Sequence, residues 1–489
     1  MTARSDLWAT RLAQLADLLE RPQPLRRPAD ADGAGRAALG LIDRADPSHV
    51  WVAMSILTGQ LPTDDDVLRV VECSSRAARR TLSDFIARRT NGHEIVIPEP
   101  GTVLLDVATT LAGRFTSGIP RVVRETSGRW TKGRWTNGEA MPVAWASDWR
   151  NIRTLTSAET TAVDEARPLR SDEEPGDEPA ISIVPWRCVL VTAEVFEQFP
   201  RAHRMRALAR FSQSRTAAVV HDCSPITLYE TRPNARVDPF VSYLSGLARF
   251  TQLVADSVAT QEEFRGWMDA LAATGIEGPP VDAVMLPFDI APADAESIAE
   301  MRRLLQHDAC PVVTVVGSRQ PRKNHLAVLQ AAELAWRRGH QFRLVFVGTL
   351  SWGSDAFGDE VDRLLARGRP IDIVSDLTDS QLAAAYELSR FTLFPSLSEG
   401  FGLPVAESLA LGTPVITSDF GSVREIADAG GGALLVDPRD DHAIAEAIEL
   451  LLSDDSLLER LRSEARSRDA RTWEQYCDEA WPLLVGSGD

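Results

Sequence analysis

The chain has 489 residues, 44% hydrophobic and 25% charged, the composition of a soluble globular protein with room for two ordinary domains and an addition. Its net charge of -18 argues against a nucleic-acid binder, which carries a basic face, but leaves room for a local cationic site. Cys73, Cys188, Cys223, Cys310 and Cys477 show no C-x-x-C spacing, which speaks against a disulfide framework or zinc site and fits a reducing cytoplasm. No signal-peptide core opens the chain, and no run approaches the roughly 18 apolar residues that span a bilayer, so any membrane contact is expected to be peripheral.

The expected order begins with helices. Leu7, Leu12, Leu15, Leu18 and Leu19 recur at helical spacing, Pro22 to Gly35 interrupts, and further helices are predicted around Val50–Leu57 and Asp64–Arg89. From Glu94 the pattern alternates between strand and helix. Val103-Leu104-Leu105-Asp106, Cys188–Thr192 and Ala217–Val220 read as strands, Gly118–Arg124 as a loop entering a helix, and the acidic stretch Ser157–Pro179 as a surface loop. Pro287–Gln306 reads as a connector and helix. A second series follows: strands Val312–Val316, Arg343–Val347, Ile371–Val374, Phe391–Phe394 and Val415–Thr417, with a helix over Leu326–Arg338. Thr378 with Gln381 and Ser456 with Glu459 match the capping-box spacing. Alternation of this kind predicts parallel sheets covered by helices, with ligands in the strand-to-helix loops. The expected division is 1–95, a helical module; 96–290, an acceptor-binding Rossmann-like domain; 291–465, a nucleotide-sugar-binding Rossmann-like domain; and 466–489, a last helix packing back on the first domain.

Two loops of the second series carry chemistry. In Ser398-Glu399-Gly400-Phe401-Gly402-Leu403-Pro404-Val405-Ala406-Glu407, a strand precedes the glycines and Pro404 suits the first turn of a helix. Gly400 and Gly402 let backbone amides approach phosphate or sugar oxygens. Glu399 in the loop suits sugar hydroxyls, and Glu407, inside the helix, suits a ribose diol. In Gly317-Ser318-Arg319-Gln320-Pro321-Arg322-Lys323-Asn324-His325, the cations Arg322 and Lys323 suit a diphosphate whose leaving oxygen gains negative charge. Taken alone, these segments read as a glycine-bearing turn and a basic surface turn; their order along the chain favours a site.

Gly317–His325, Gly348–Ser354 and Glu399–Glu407 resemble the family-4 retaining glycosyltransferases of the GT-B fold. Seven residues separate Glu399 from Glu407, as in that family's E-x7-E motif, and Gly412-Thr413-Pro414-Val415-Ile416 and Thr472-Trp473-Glu474 extend the likeness. It is dense from about 310 to 480, thinner from about 100 to 290, and absent before 95. The resemblance implies two Rossmann-like, doubly wound domains facing a cleft, with the N-terminal helices as an addition. It implies a retaining hexosyl transfer from a nucleotide diphosphate sugar to an acceptor hydroxyl, with no metal and no other cofactor. Glu399 would contact the donor sugar, Glu407 the ribose, and Lys323 the diphosphate with Arg322 beside it. Gly317, Ser318, Arg319, Gly400, Phe401, Gly402 and Leu403 would line the donor site, and Leu377, in the Ser375–Leu377 backbone, would meet the base. Either Arg319 or Arg322 would face the phosphate, since Ser318 stands where some relatives place an arginine.

In the first domain, Ser117-Gly118-Ile119-Pro120-Arg121-Val122-Val123-Arg124 resembles the family's glycine loop, which places Gly118 and Ile119 on the acceptor side. Val219-Val220-His221-Asp222 resembles its strand-end His-Asp. His221 would then donate to a hydroxyl of the reacting sugar, with Asp222 on the acceptor side. Asp30-Ala31-Asp32 and Asp64-Asp65-Asp66 read as loop and helix-cap residues rather than a metal-binding D-x-D.

Arg121, Arg124, Arg129, Lys132 and Arg134, with Trp130 and Trp135, form a basic and aromatic patch. It reads either as a solvated helix end or as a rest on an anionic membrane or lipid diphosphate acceptor. Arg76, Arg79, Arg80, Arg88 and Arg89, near Pro62-Thr63-Asp64, faintly resemble a helix-turn-helix; a docking or oligomerisation module is the favoured reading, and no nucleic acid is expected. The expected setting is cytoplasmic, or peripheral at the inner membrane face, in the synthesis of cell-surface polysaccharide, glycolipid or another glycoconjugate, with a saccharide, glycolipid or protein as acceptor. The rival readings are another GT-B enzyme, a nucleotide-sugar epimerase or phosphorylase, and a non-catalytic scaffold.

Overall fold

The computed structural model describes residues 2–486 apart from positions 25, 114–117, 133, 134, 136–139, 171, 172, 174–180, 232–235, 307–309 and 352. The chain enters through helices Thr2–Leu18, Ala31–Leu41, Pro47–Thr58, Asp64–Glu72 and Ser75–Arg89. Several starts are marked by a polar side chain that satisfies free backbone amides. Asp30 accepts from the Gly33 N–H, Asp46 accepts from the Ser48 N–H ahead of Pro47, and Thr63 and Asp66 form a reciprocal capping box. The single helix expected over Asp64–Arg89 is two helices, because Cys73 and Ser74 are extended.

These helices do not form a separate body. Trp51, Leu57 and Leu82 belong to one apolar cluster with Val191 and Val219 of the first sheet. Polar ties cross the same seam. Arg204 donates to the Leu61 carbonyl at 2.9 Å, and Arg206 lies 3.1 Å from Asp64.

The first sheet contains β1 Ile95–Val96, β2 Val103–Asp106, β3 Met141–Trp145, β4 Ile152–Thr154, β5 Ser182–Ile183, β6 Val189–Thr192, β7 Arg215–Val220, β8 Gln252–Ala255 and β9 Val281–Ala283. Its order is β1-β5-β4-β3-β2-β6-β7-β8-β9, parallel except that β4 runs against β3 and β5. The second sheet contains β10 Val312–Val316, β11 Arg343–Val347, β12 Ile371–Val374, β13 Phe391–Phe394, β14 Val415–Ser418 and β15 Ala433–Val436, in the order β12-β11-β10-β13-β14-β15, with every pairing parallel. β10 is buried along its whole length, as a strand covered by helices on both faces must be. Strand order reverses between β10 and β13, so the loops leaving those two strands flank a crevice.

Two further local expectations fail. The acidic stretch after Ser157 opens as a helix, Ser157–Asp164, because Thr156 and Glu159 cap it and Arg153 holds the buried Glu159 with two bonds of 2.7 Å. The helix expected to start at Ser456 is capped two residues earlier by Asp454. The Thr378–Gln381 box is present, and a further box, Thr472–Gln475, opens the last helix, Trp473–Val485. That helix lies against the first sheet. Arg215 of β7 donates to the carbonyls of Leu483 and Leu484, each at 2.9 Å, and Trp481 packs on Trp130 with ring centroids 5.4 Å apart.

Candidate active site between the two sheets

Gly317 follows β10, and its carbonyl lies so near Gly348 that a Cβ on Gly348 would approach it to 2.1 Å; only glycine lets the loops after β10 and β11 pack this tightly. A single turn, Pro321–Lys323, follows. Asn324, with φ +62°, donates to the carbonyls of Pro395 at 3.1 Å and Pro438 at 2.6 Å. This anchoring aims Arg322 and Lys323 at the loop leaving β13.

Glu399 receives both cations. Lys323 Nζ lies 2.6 Å from Oε1, Arg322 Nη1 lies 2.9 Å from Oε2, and the Ser396 hydroxyl donates to Oε1 at 2.6 Å. Burial alone works to raise the Glu399 carboxyl, but Arg322 and Lys323 overcome it and hold the group down to about 2. Burial, reinforced by the neighbouring Arg322 charge, brings the Lys323 ammonium down to about 8 despite the pull of Glu399.

Gly402, with φ +102°, precedes helix Leu403–Ala410, which has Pro404 in its first turn and no side-chain cap. Glu407 sits one turn inside. Tyr386 OH donates to its Oε2 at 2.8 Å, and Arg121 of the first domain donates to its Oε1 at 2.6 Å. Burial pushes the Glu407 carboxyl up against the opposing pull of Arg121. Arg121 also donates to the Asp289 carbonyl at 3.1 Å.

The Glu399 loop presses on the first domain at Gly400, where a Cβ would lie 2.2 Å from the His221 carbonyl oxygen. Ser257 and Thr260 donate to the Gly400 carbonyl at 2.5 and 3.1 Å. Phe401 stacks on Phe288 with ring centroids 6.0 Å apart. Glu425 accepts from the amides of Val258 and Ala259 at 2.9 and 2.6 Å, supplying the charge that a helix N-terminus favours.

Several expected positions differ. His221 does not present a free donor to the cleft. Its Nδ1 pairs with Asp256 at 3.1 Å, its Nε2 with the Ala193 carbonyl at 2.9 Å, and the residue is 5% exposed. Asp222 is the half-buried member of the pair; it accepts from the Ser224 amide and hydroxyl at 3.0 and 2.6 Å, and its charge reaches Arg322 and Lys323. Arg319 turns to the Gly348 and Thr349 carbonyls, at 3.1 and 3.4 Å, and leaves the anion-facing place to Arg322. Ser318 lies in the same loop, where its carbonyl accepts from Gln320. Leu377 packs against the apolar cluster that contains Val347 and Ala384, and Leu403 against the larger core. Gly118, with φ +69°, is exposed at the entry to helix Ile119–Trp130, and Ile119 is half-buried; Ser117 lies outside the described residues.

The basic patch from Arg121 to Trp135 is not an open surface. Arg121 binds Glu407, Arg124 is buried, Arg129 binds Glu125 and Glu474, and Lys132 donates to the Asp164 carbonyl. Trp130 is buried and Trp135 donates to Asp478 at 2.7 Å; Arg134 lies outside the described residues. Among the described residues of the patch, Arg121, Arg129, Lys132 and Trp135 are engaged in internal hydrogen bonds or ion pairs. In the N-terminal helices Arg79 pairs with Asp32, while Arg76, Arg80 and Arg88 are exposed. Among the described residues no helix is long and apolar enough to cross a membrane.

Sequence reasoning missed Tyr386, Ser396 and Glu425, and it gave Arg121 to a surface patch. No motif marks the first three. The placing of Arg121 three residues after the exposed glycine was a usable signal.

Residues 298–468 match the family model described as Glycosyl transferases group 1. The serotype-specific mannosyltransferase WbdA of Escherichia coli is 28% identical over 303 residues, covering 59% of this chain and 35% of that protein. The O-antigen chain mannosyltransferase B of Escherichia coli is 34% identical over 142 residues, covering 29% of this chain and 36% of that one. The chain thus spans about a third of the length of these curated relatives. Anabaena HepE, solved in complex with UDP and glucose, superposes with a TM-score of 0.57 at 13% identity, covering 79% of this chain and all of that one. The likeness to HepE establishes the GT-B fold: two α/β domains facing a cleft, here with helices added at the N-terminus. On that frame, the match to the glycosyl transferases group 1 model falls on the second domain and the helices that flank it.

Proposed function

We propose that this protein transfers a hexose from a nucleoside diphosphate to an acceptor hydroxyl, with retention of configuration and without a metal at the diphosphate. The observation that carries this reading is Glu399 clasped between Lys323 and Arg322 where the strand order reverses. Two cations stored against an internal anion become available to a diphosphate that displaces it. Glu399 is then free to accept hydrogen bonds from sugar hydroxyls. Glu407, one helical turn on, takes the ribose diol.

In the transfer, the bond from the sugar C1 to the diphosphate oxygen breaks. The acceptor oxygen bonds C1 from the face the diphosphate leaves, and the departing phosphate oxygen takes the acceptor proton. Lys323 and Arg322 stabilise the charge that grows on the leaving oxygen, and fixed positioning supplies much of the remaining rate. Mannosyltransferases among the relatives support a hexose donor and a role in surface polysaccharide synthesis. A cytoplasmic setting suits this chemistry.

The test is to incubate the chain with a panel of nucleotide sugars and acceptors, with and without EDTA. Transfer that persists in EDTA, with retained anomeric configuration by NMR, is the expected result. Epimerised donor without transfer, or an absolute need for a divalent ion, would overturn it.

A further inference from the structure

A cavity of about 200 Å³ opens between the domains, lined in part by Glu399 but not by Lys323 or Arg322. Thr227 and Glu263 come from the first domain, and Ser398, Glu399, Phe420 and Ser422 from the second. We propose that this cavity binds the saccharide end of the acceptor as a neutral polyol beside the reacting sugar, an inference that rests on the transfer reading above.

The lining decides the ligand class. Two carboxylates, Glu263 and Glu399, face the space, and among the described residues no lysine or arginine lines it. Such a wall offers a phosphate no cation and suits hydroxyl donors. The donor diphosphate is drawn instead to Lys323 and Arg322, which bind Glu399 from outside the cavity. One side chain therefore separates the place for a diphosphate from the place for an uncharged ring.

Glu263 is poised for that ring. Its Oε2 accepts the Cys223 amide at 2.7 Å, and its Oε1 has no hydrogen bond among the described residues. Burial, with Asp222 and Asp256 nearby, pushes the carboxyl up to about 7, so it can accept from a hydroxyl or donate to one. Phe420 supplies an apolar surface for the C–H face of a pyranose, and the Arg439 guanidinium, 5.2 Å from its centroid, holds the ring. Serine and threonine hydroxyls complete a set suited to sugar recognition.

The cavity needs both domains. Glu425, bonded to the Val258 and Ala259 amides, ties the helix after β14 to the helix after β8, and those elements supply part of the walls, with the loops after β7 and β13 supplying the rest. The acceptor site is thus complete only in the closed arrangement.

The experiment uses the full chain and the variants Glu263→Ala, Glu263→Gln and Phe420→Ala. Equilibrium binding of methyl α-mannoside, methyl α-glucoside and glucose 6-phosphate is measured, together with binding of nucleoside diphosphates and acceptor KM. The expected result is binding of at least one neutral glycoside, weaker binding of the phosphate ester, and a tenfold or greater loss in Glu263→Ala and Phe420→Ala. The nucleotide Kd should stay within twofold. Glu263→Gln keeps the shape and one acceptor oxygen, and should lose less than Glu263→Ala. Preference for the phosphate ester, or glycoside binding unaffected in the folded alanine variants, overturns the proposal. A wild-type chain that binds glycosides in this way but uses no nucleotide sugar defeats the transfer reading and leaves the cavity assignment standing.

Discussion

On the second-domain wall of the cleft, Lys323 and Arg322 both hold Glu399 within 2.9 Å where the strand order reverses. On the first-domain wall, His221 turns its ring inward to Asp256 and the Ala193 carbonyl, and the contacts that cross the cleft, from Arg121, Ser257 and Thr260, close it. One wall stores charges that a ligand can take over; the other spends its polar groups on structure and closure. On the proposed transfer, leaving-group departure would draw on the second domain, while the first domain's part would be contacts across the cleft.

The largest test of that contrast is Lys323→Ala. It should lower kcat/KM by roughly 10²–10³-fold, the usual cost of losing one electrostatic stabiliser, with an unchanged circular dichroism spectrum. A loss below tenfold would remove the second wall from the chemistry. His221→Gln should act on stability instead, because it breaks a buried pair and strands Asp256. About 3 kcal/mol is expected from denaturant unfolding. If kcat per folded molecule also falls more than tenfold, the first wall joins the reaction.

The pH dependence sharpens the same point. In the free protein Lys323 is protonated below about 8 and neutral above it, and a bound diphosphate favours the protonated form. Donor affinity should therefore fall by about tenfold per pH unit above about 8. Lys323→Arg, whose guanidinium stays charged, should abolish that fall; a flat wild-type profile would sink the assignment.

A smaller effect is expected at the closure contact. Arg121 occupies the Glu407 oxygen that a ribose diol would need. Arg121→Ala should tighten nucleoside diphosphate binding by up to about tenfold, or ~1.4 kcal/mol, while slowing turnover. Weaker nucleotide binding would make Arg121 part of the donor site. Smallest of all, Arg76→Ala, Arg80→Ala and Arg88→Ala should each change stability by less than ~0.5 kcal/mol, since all three are exposed.

The second domain was more legible than the first for a physical reason. Its strands are continuous apolar runs such as Val312–Val316, and its functional loops carry glycine and proline where the backbone must turn sharply or start a helix. In the first domain the His-Asp pair at 221–222 could be read, but not which of the two faces the cleft. The split at Cys73-Ser74 was hidden because apolar spacing continues across it.

The sequence by itself determined the alternation of strands and helices and the spacing that puts Glu399 in a loop and Glu407 one turn inside the next helix. It also determined the cation pair after β10. These follow from rules acting over a few residues: side-chain periodicity, caps, and the backbone freedom of glycine. Only the tertiary structure decided that Arg322 rather than Arg319 meets Glu399, that Arg121 crosses to Glu407, and that Glu263 and Phe420 share a cavity. A long polar side chain has several partners within reach, and which one it takes depends on the surfaces brought against it when the domains fold and close.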